Sequence, residues 1–205
     1  MHKKKVSVII PVYNEEHSIE AALESLLRTD YPPHLLEILV IDGRSTDATV
    51  EIVRRVARRS AVNIKIIDNP QRITPVALNL GIRHATGELI IRADAHTVYP
   101  PGYIEELVKW KERLKADNVG GVFVHTARKN IKVNHAIVAV LDSPFGVGGA
   151  TYRLVRSGEP VETDTVPFGI WDKSLFDRIG PFDPRLVRNQ DIELNKRIIA
   201  HGGKI

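Results

Sequence analysis

The sequence predicts an open α/β fold, a mostly parallel sheet with helices on both faces. Three observations carry this. Short Val- and Ile-rich runs at residues 6–11, 36–42, 64–68 and 88–93 are apolar almost throughout, the pattern of strands covered on both sides. Helix-patterned segments lie between them. Strands and helices alternating at this spacing imply parallel pairing through right-handed crossovers.

The elements follow in order. After the first run, residues 18–29 place Ile19, Ala22, Leu23, Leu26 and Leu27 on one helical face, and residues 46–59 read similarly. A third helix is expected from Thr74 and Pro75, where the hydroxyl can cap free N–H groups and proline suits the first turn. It ends near Ala85. Beyond the fourth run come a helix over 102–117 and a strand over 120–126. The alternation then weakens into a glycine-rich stretch, residues 145–150, where an acceptor-side loop is expected. Order resumes with 172–179, a turn at 180–184 and a helix over 190–201. Gly202 and Gly203 break that helix and lead toward a further strand, so the chain is expected to be the front part of a longer protein.

Composition bounds the function without naming it. A chain of 205 residues buries one sizeable core, and 43% hydrophobic with 26% charged residues excludes a disordered or fibrous chain. The net charge of +4 suits anionic partners. Much of the excess is local: Lys3, Lys4 and Lys5 precede the first strand, and Arg54, Arg55, Arg58 and Arg59 share one helix. They read as solvated surface or as contacts to an anionic membrane. Without a recognisable aromatic-and-basic motif, nucleic acid is not an expected partner. The absence of cysteine excludes a disulfide framework, a thiolate metal site and a catalytic thiol. No apolar stretch reaches the roughly 18 residues that span a bilayer.

Ligands in open α/β sheets bind beyond the carboxyl ends of the strands. This directs attention to residues 11–15, 42–47, 68–72 and 94–96. No G-x-G-x-x-G follows the first strand and no G-x-x-x-x-G-K-[ST] occurs, so dehydrogenase and P-loop readings lack their phosphate-binding device. Pro11-Val12-Tyr13-Asn14-Glu15 offers an aromatic ring for stacking and polar groups beside it, though alone it reads equally as a turn. Asp42 can accept hydrogen bonds from a base or ribose, while Ser45 and Thr46 can cap the next helix. Arg72 meets either a phosphate or a surface carboxylate. Asp94 and His96, two residues apart, share one side of an extended chain and together can hold Mn2+ or Mg2+, with a diphosphate completing the shell; loop hydrogen bonding is the alternative. Asp191, after Asn189 and Gln190 at a helix start, is either a cap or a base kept ionised by the helix dipole.

In this order the segments resemble the GT-A catalytic domain of family 2 glycosyltransferases. The resemblance rests on residues 8–15, on Ile41-Asp42-Gly43-Arg44-Ser45-Thr46-Asp47, on Ala77, Asn79 and Gly81, on Gly87-Glu88 and on Gly180-Pro181-Phe182-Asp183. Arg92-Ala93-Asp94-Ala95-His96, residues 99–103 and 188–195 look like the succinoglycan-biosynthesis branch of that family. The resemblance implies a single GT-A domain over 1–205, with a nucleotide-binding half (1–100) and an acceptor-side half (101–205). It implies inverting transfer of a sugar, glucose by the branch likeness, from a UDP-sugar donor to a lipid-linked saccharide in exopolysaccharide assembly. Asp191 would be the base; Pro11, Tyr13, Glu15, Asp42, Arg72 and Asp94 would hold the donor; Gly149 and Gln190 would face the acceptor; Asp94 and His96 would bind the metal. A cytoplasmic site at the inner face of the plasma membrane is expected for the full-length protein. His96 stands where the family usually has a second aspartate, and Gln190 where it has a glutamate. The alternatives are a nucleotide-sugar-binding module without turnover and a metal-dependent nucleotidyltransferase.

Overall fold

The computed structural model describes residues 3–122 and 159–205. Its elements are β1 (Val6–Val12), α1 (Ile19–Leu27), a 3-10 turn (Pro33–Leu35), β2 (Leu36–Asp42), α2 (Thr49–Arg59), β3 (Asn63–Asp68), α3 (Thr74–His84), β4 (Leu89–Arg92), α4 (Tyr103–Leu114), β5 (Val119–Gly120), β6 (Gly169–Asp172), α5 (Lys173–Ile179) and α6 (Gln190–Ala200). The strands form one six-stranded sheet in the order β3-β2-β1-β4-β6-β5. β1 to β4 pair in parallel, as predicted. β6 runs antiparallel between β4 and β5.

Strand parity distributes the apolar side chains into two layers. Val6, Val8, Ile10 and Val12 of β1, with Leu36, Ile38 and Val40 of β2, pack with Ile19, Leu23 and Leu26 of α1, Val53 and Val56 of α2 and Ile104 and Leu107 of α4. Ile9, Leu39 and Ile41 point the other way, against Ala77 and Leu78 of α3, Phe176 of α5 and Leu194 and Ile198 of α6. A one-residue slip of β1 would exchange the two sets, so the burial that stabilises the sheet also fixes its register. β3 departs from the expected fully buried pattern. It is the edge of the sheet, and its residues alternate between exposed and half-buried.

Two predicted caps are corrected. Thr74 lies inside α3; Ile73 is the extended residue before it, and no side chain caps the helix. Helix α2 starts at Thr49 rather than near residue 46, because Ser45, Thr46 and Asp47 are engaged elsewhere. The Ser45 hydroxyl donates to Asp42 at 2.6 Å, the Thr46 N–H donates to Asn14 Oδ1 at 2.8 Å, and Asp47 accepts the N–H groups of Glu16 and Thr49. The strand expected over 120–126 begins one residue earlier, at Val119, and Gly121 and Val122 lie beyond its end; its remainder and the 145–150 loop with Gly149 fall outside the described residues.

The sequence motifs around α3 and the turn after α5 turn out to be packing devices. The Asn79 side chain donates to the Phe182 carbonyl at 2.8 Å and accepts the Phe182 N–H at 2.9 Å, satisfying both backbone groups of that buried residue. Gly81 lets α3 approach β1, since a Cβ there would overlap the Ile9 side chain. The same layer holds a buried carboxylate. Glu37 Oε1 accepts the Ser7 hydroxyl at 2.6 Å and both the N–H and hydroxyl of Thr86 at 2.7 Å, while Lys65 Nζ stands 3.5 Å from Oε2. Burial works to raise its carboxyl, but these hydrogen bonds and Lys65 together hold it below the ordinary range.

Two stability predictions follow from this layer. Gly81→Ala should cost about 1–3 kcal/mol through overpacking, seen as a lower melting temperature. Glu37→Gln should cost about 1–3 kcal/mol, because buried donors lose a charged acceptor. The folded carboxyl of Glu37 lies below its unfolded value of about 4.3. Its contribution is therefore complete above that pH and disappears as pH falls through the folded value, an acid-side loss that denaturant titrations should find absent in the variant.

Candidate active site

The carboxyl ends of β1, β2, β3 and β4 surround a cleft of about 220 Å3, lined among others by Pro11, Tyr13, Glu15, Gly43, Asn69, Arg72, Arg92, Asp94 and His96. Loops after β1 and β2 form one wall because they exchange hydrogen bonds. The Asn14 N–H donates to Ser45 Oγ at 2.9 Å, the Glu15 N–H to Thr49 Oγ1 at 2.7 Å, and the Ala48 N–H to Glu16 Oε2 at 3.0 Å. Tyr13 is left half-exposed at the mouth, with the Arg72 guanidinium 5.4 Å from its ring centroid. An aromatic face with a cation above it is a site where a nucleobase can stack and a phosphate can pair.

Asp42 is placed differently from the other predicted donor residues. It continues the side of β2 that faces α2, does not line the cleft, and spends Oδ1 and Oδ2 on the N–H and hydroxyl of Ser45. Its neighbour Gly43 lines the cleft instead. Arg44, whose φ is +61°, pairs with Asp68 at 3.2 Å on the outside.

At the opposite wall the chain is not extended through the D-x-H: Ala95 and His96 lie in a turn, and it is this turn that brings the His96 ring back toward Asp94. His96 Nε2 lies 3.9 Å from Asp94 Oδ2, and His96 Nδ1 lies 3.3 Å from Glu15 Oε1. The loop is fixed by Tyr99, whose hydroxyl accepts the Asp94 N–H at 2.7 Å while its own N–H donates to Ser25 Oγ at 3.0 Å. Burial raises the Tyr99 phenol far above its ordinary value, so it stays protonated. Carboxylate oxygens and an imidazole nitrogen are donors that suit Mn2+ or Mg2+. Among the described residues no group of three or more His, Cys, Asp or Glu is placed to hold a metal ion. The pair fits a cation that takes further ligands from a bound diphosphate.

Asp191 reaches this cluster through Arg92, a residue that pattern reading passed over. Arg92 ends β4, is 7% exposed, and bonds Asp191 Oδ1 through Nη1 and Asp94 Oδ1 through Nη2 at 3.4 Å. Its planar group also lies 4.8 Å from the Phe168 ring centroid. The available signal was an arginine closing an otherwise apolar strand, directly before a D-x-H. Gln190, 7% exposed, donates to the other Asp191 oxygen at 3.3 Å. Asn189 adopts φ +62°, tolerated by Asn, and so starts α6 with Gln190 and Asp191 turned to β4. No side-chain hydrogen bond caps the helix, so the capping reading of Asp191 is not borne out.

The electrostatics of Asp191 differ from the dipole argument. Burial lifts its carboxyl above the ordinary range and outweighs the Arg92 charge and hydrogen bond that pull it down. Arg92 is stabilised in its charged form by the two carboxylates despite burial. Asp191 is thus a largely enclosed carboxylate held against a fixed cation, with burial the strongest influence on it. Asn69 is a second residue that pattern reading passed over: it lines the cleft, is 2% exposed, and its Oδ1 has no hydrogen-bond partner.

The chain is similar to known proteins. The chain is 30% identical over 207 residues to the dolichyl N-acetyl-alpha-D-glucosaminyl phosphate 3-beta-D-2,3-diacetamido-2,3-dideoxy-beta-D-glucuronosyltransferase of Methanococcus voltae, covering 98% of this chain and 63% of that protein. It is 31% identical over 200 residues to the succinoglycan biosynthesis protein ExoA of Rhizobium meliloti (strain 1021), covering 97% and 59%. The chain thus spans about three fifths of the length of these curated relatives. Among solved structures, the mannosyltransferase PcManGT from Pyrobaculum calidifontis, in complex with GDP-Man and Mn2+, superposes with a TM-score of 0.69 at 26% identity, over 100% of this chain and 54% of that one. The fold is therefore GT-A, as the sequence implied. The model of glycosyl transferase family 2 matches residues 7–179, and the chain belongs to that family.

Proposed function

We propose that the protein is an inverting glycosyltransferase that moves a sugar, glucose by the branch likeness, from a UDP-sugar to a lipid-linked saccharide. The observation that carries the reading is the Arg92 bridge: Asp191 does not itself line the donor cleft, but Arg92, which does, bonds both Asp191 and the cleft residue Asp94. Asp191 is the carboxylate we assign as the base, held one residue away from the cleft through Arg92. The Methanococcus relative, by its name, acts on a dolichyl-linked sugar phosphate, and ExoA belongs by its name to succinoglycan biosynthesis; both support a lipid-linked acceptor in polysaccharide assembly. The reading assigns the full-length protein to the cytoplasmic face of the plasma membrane, where it would meet such an acceptor. Among the described residues no helix is long and apolar enough to cross a membrane.

Tyr13 stacks on the base and Arg72 pairs with phosphate, while Pro11 and Glu15 shape the cleft between them. Asp42 serves the donor by fixing the turn that presents Gly43. Asp94 and His96 would hold Mn2+ or Mg2+, and the bound ion would neutralise charge on the departing diphosphate. Asp191 takes the proton of an acceptor hydroxyl. That oxygen forms the new bond to the anomeric carbon as the bond to the diphosphate breaks on the opposite face, and the product is inverted. Gln190 and the loop of Gly149 are assigned to the acceptor side. General-base assistance is worth on the order of 100- to 10,000-fold.

Three measurements test the reading. Asp191→Asn should lower transfer by roughly 100- to 10,000-fold while UDP affinity stays within about threefold; full transfer by this variant would remove the base assignment. Asp94→Ala should abolish the Mn2+-dependent part of UDP binding in calorimetry, and an unchanged difference between Mn2+ and EDTA would contradict the metal site. Thermal shifts with UDP-glucose, UDP-N-acetylglucosamine and GDP-mannose, each with Mn2+, should be largest for UDP-glucose. Release of pyrophosphate from a nucleoside triphosphate would instead make the protein a nucleotidyltransferase.

A further inference from the structure

Arg92 is the feature that the donor and base assignments leave unexplained. Its guanidinium is almost wholly buried at the end of β4, yet it neutralises neither carboxylate exclusively. Nη1 binds Asp191 Oδ1 and the Pro167 carbonyl, the latter at 3.4 Å; Nη2 reaches Asp94 Oδ1, also at 3.4 Å; Nε is buried without a partner. The buried end of a strand is a costly place for such a group, and burial without pairing would be prohibitive. The planar fork makes the position workable, because its nitrogens lie in fixed directions and hold the two carboxylates at a set separation, whereas an ammonium's three donors rotate freely and set none. The Phe168 ring 4.8 Å away fixes the plane. Asp191 comes from α6 and Asp94 from the loop after β4, 97 residues apart in sequence by their numbers, so nothing local fixes their separation.

We propose that Arg92 is a positioning residue for the transfer reaction, setting the distance and orientation of the Asp191 carboxylate relative to the donor end of the site. It acts through Asp191, whose other oxygen is held by Gln190 at 3.3 Å; the inference rests on Asp191 being the base. A lysine at position 92 would retain the positive charge but, with a shorter reach and without a rigid fork, would no longer fix the separation and orientation of the two carboxylates. Misplacement of a reacting group by about an ångström costs on the order of 100-fold in rate.

The experiment compares wild type, Arg92→Lys, Asp191→Asn and the double variant in the full-length enzyme. Turnover is read as UDP released from UDP-glucose with Mn2+ and a polyprenyl-linked saccharide, and UDP affinity by calorimetry with Mn2+. Arg92→Lys should lower kcat by roughly 10- to 100-fold, with the KM for UDP-glucose and the UDP affinity within about threefold of wild type, a split that a general loss of structure would not produce. The double variant should be no slower than Asp191→Asn alone, as expected of residues acting as a unit. The proposal is overturned if Arg92→Lys keeps its kcat beside an inactive Asp191→Asn. It is equally overturned if UDP affinity falls in step with kcat, which would make Arg92 a donor ligand, or if the two substitutions multiply. Normal turnover by Asp191→Asn would instead fell the underlying base assignment, a result visible without any Arg92 variant.

Discussion

The site depends on one constraint, the parallel pairing of β1 with both β2 and β4. Because β1 is central and its side chains alternate between two apolar layers, its register is fixed from both faces. Parallel strands locked in register deliver their carboxyl ends to one rim. Residues 11–15, 42–47, 68–72 and 94–96 then meet without any local sequence relationship. Glu37 and the Asn79–Phe182 pair serve the same end from below, each spending buried polar groups on joining segments distant in sequence.

The rim carries a graded set of charges. Glu15 and Asp94 flank the exposed His96 ring, Arg72 stands above Tyr13, and Arg92 with Asp191 lies deeper. Exposed groups there can exchange partners with an incoming diphosphate at little cost, because water screens them before it arrives. The buried pair cannot, so its geometry is set during folding. Under the proposed function, adaptable outer groups over a rigid inner carboxylate would suit a reaction in which the donor changes charge while the attacking hydroxyl must be held still.

Much of this was legible in the sequence, for identifiable reasons. The strands showed because continuous Val and Ile runs have few other uses; the D-x-H was legible as a pair, but its two side chains are brought together by a turn rather than by extended chain. What escaped depended on tertiary partners. Asp42 looked like a cleft residue because it ends a strand, but strand parity turned it toward α2, where Ser45 takes its oxygens. The α2 start was misplaced because Thr46 and Asp47 bond the neighbouring loop instead of opening the helix. The Asp191 carboxyl could not be judged from its helix position, since the burial that raises it comes from packing against β4. Arg92 was visible as a letter but not as a link, because its second partner lies far along the chain.

The placement of β6 has a consequence for synthesis. β6 inserts between β4 and β5, antiparallel to both, and every residue of β4 is buried in the finished sheet. When the ribosome has released the first hundred residues, β1 to β4 have all they need to pair, but β4 presents an apolar, unpaired edge. That edge stays open until residues 169–172 emerge. At translation speeds of roughly 5–20 residues per second the interval is several seconds. For that time the nascent chain carries an edge onto which another chain can add a strand, which makes it a substrate for chaperones that shield sheet edges.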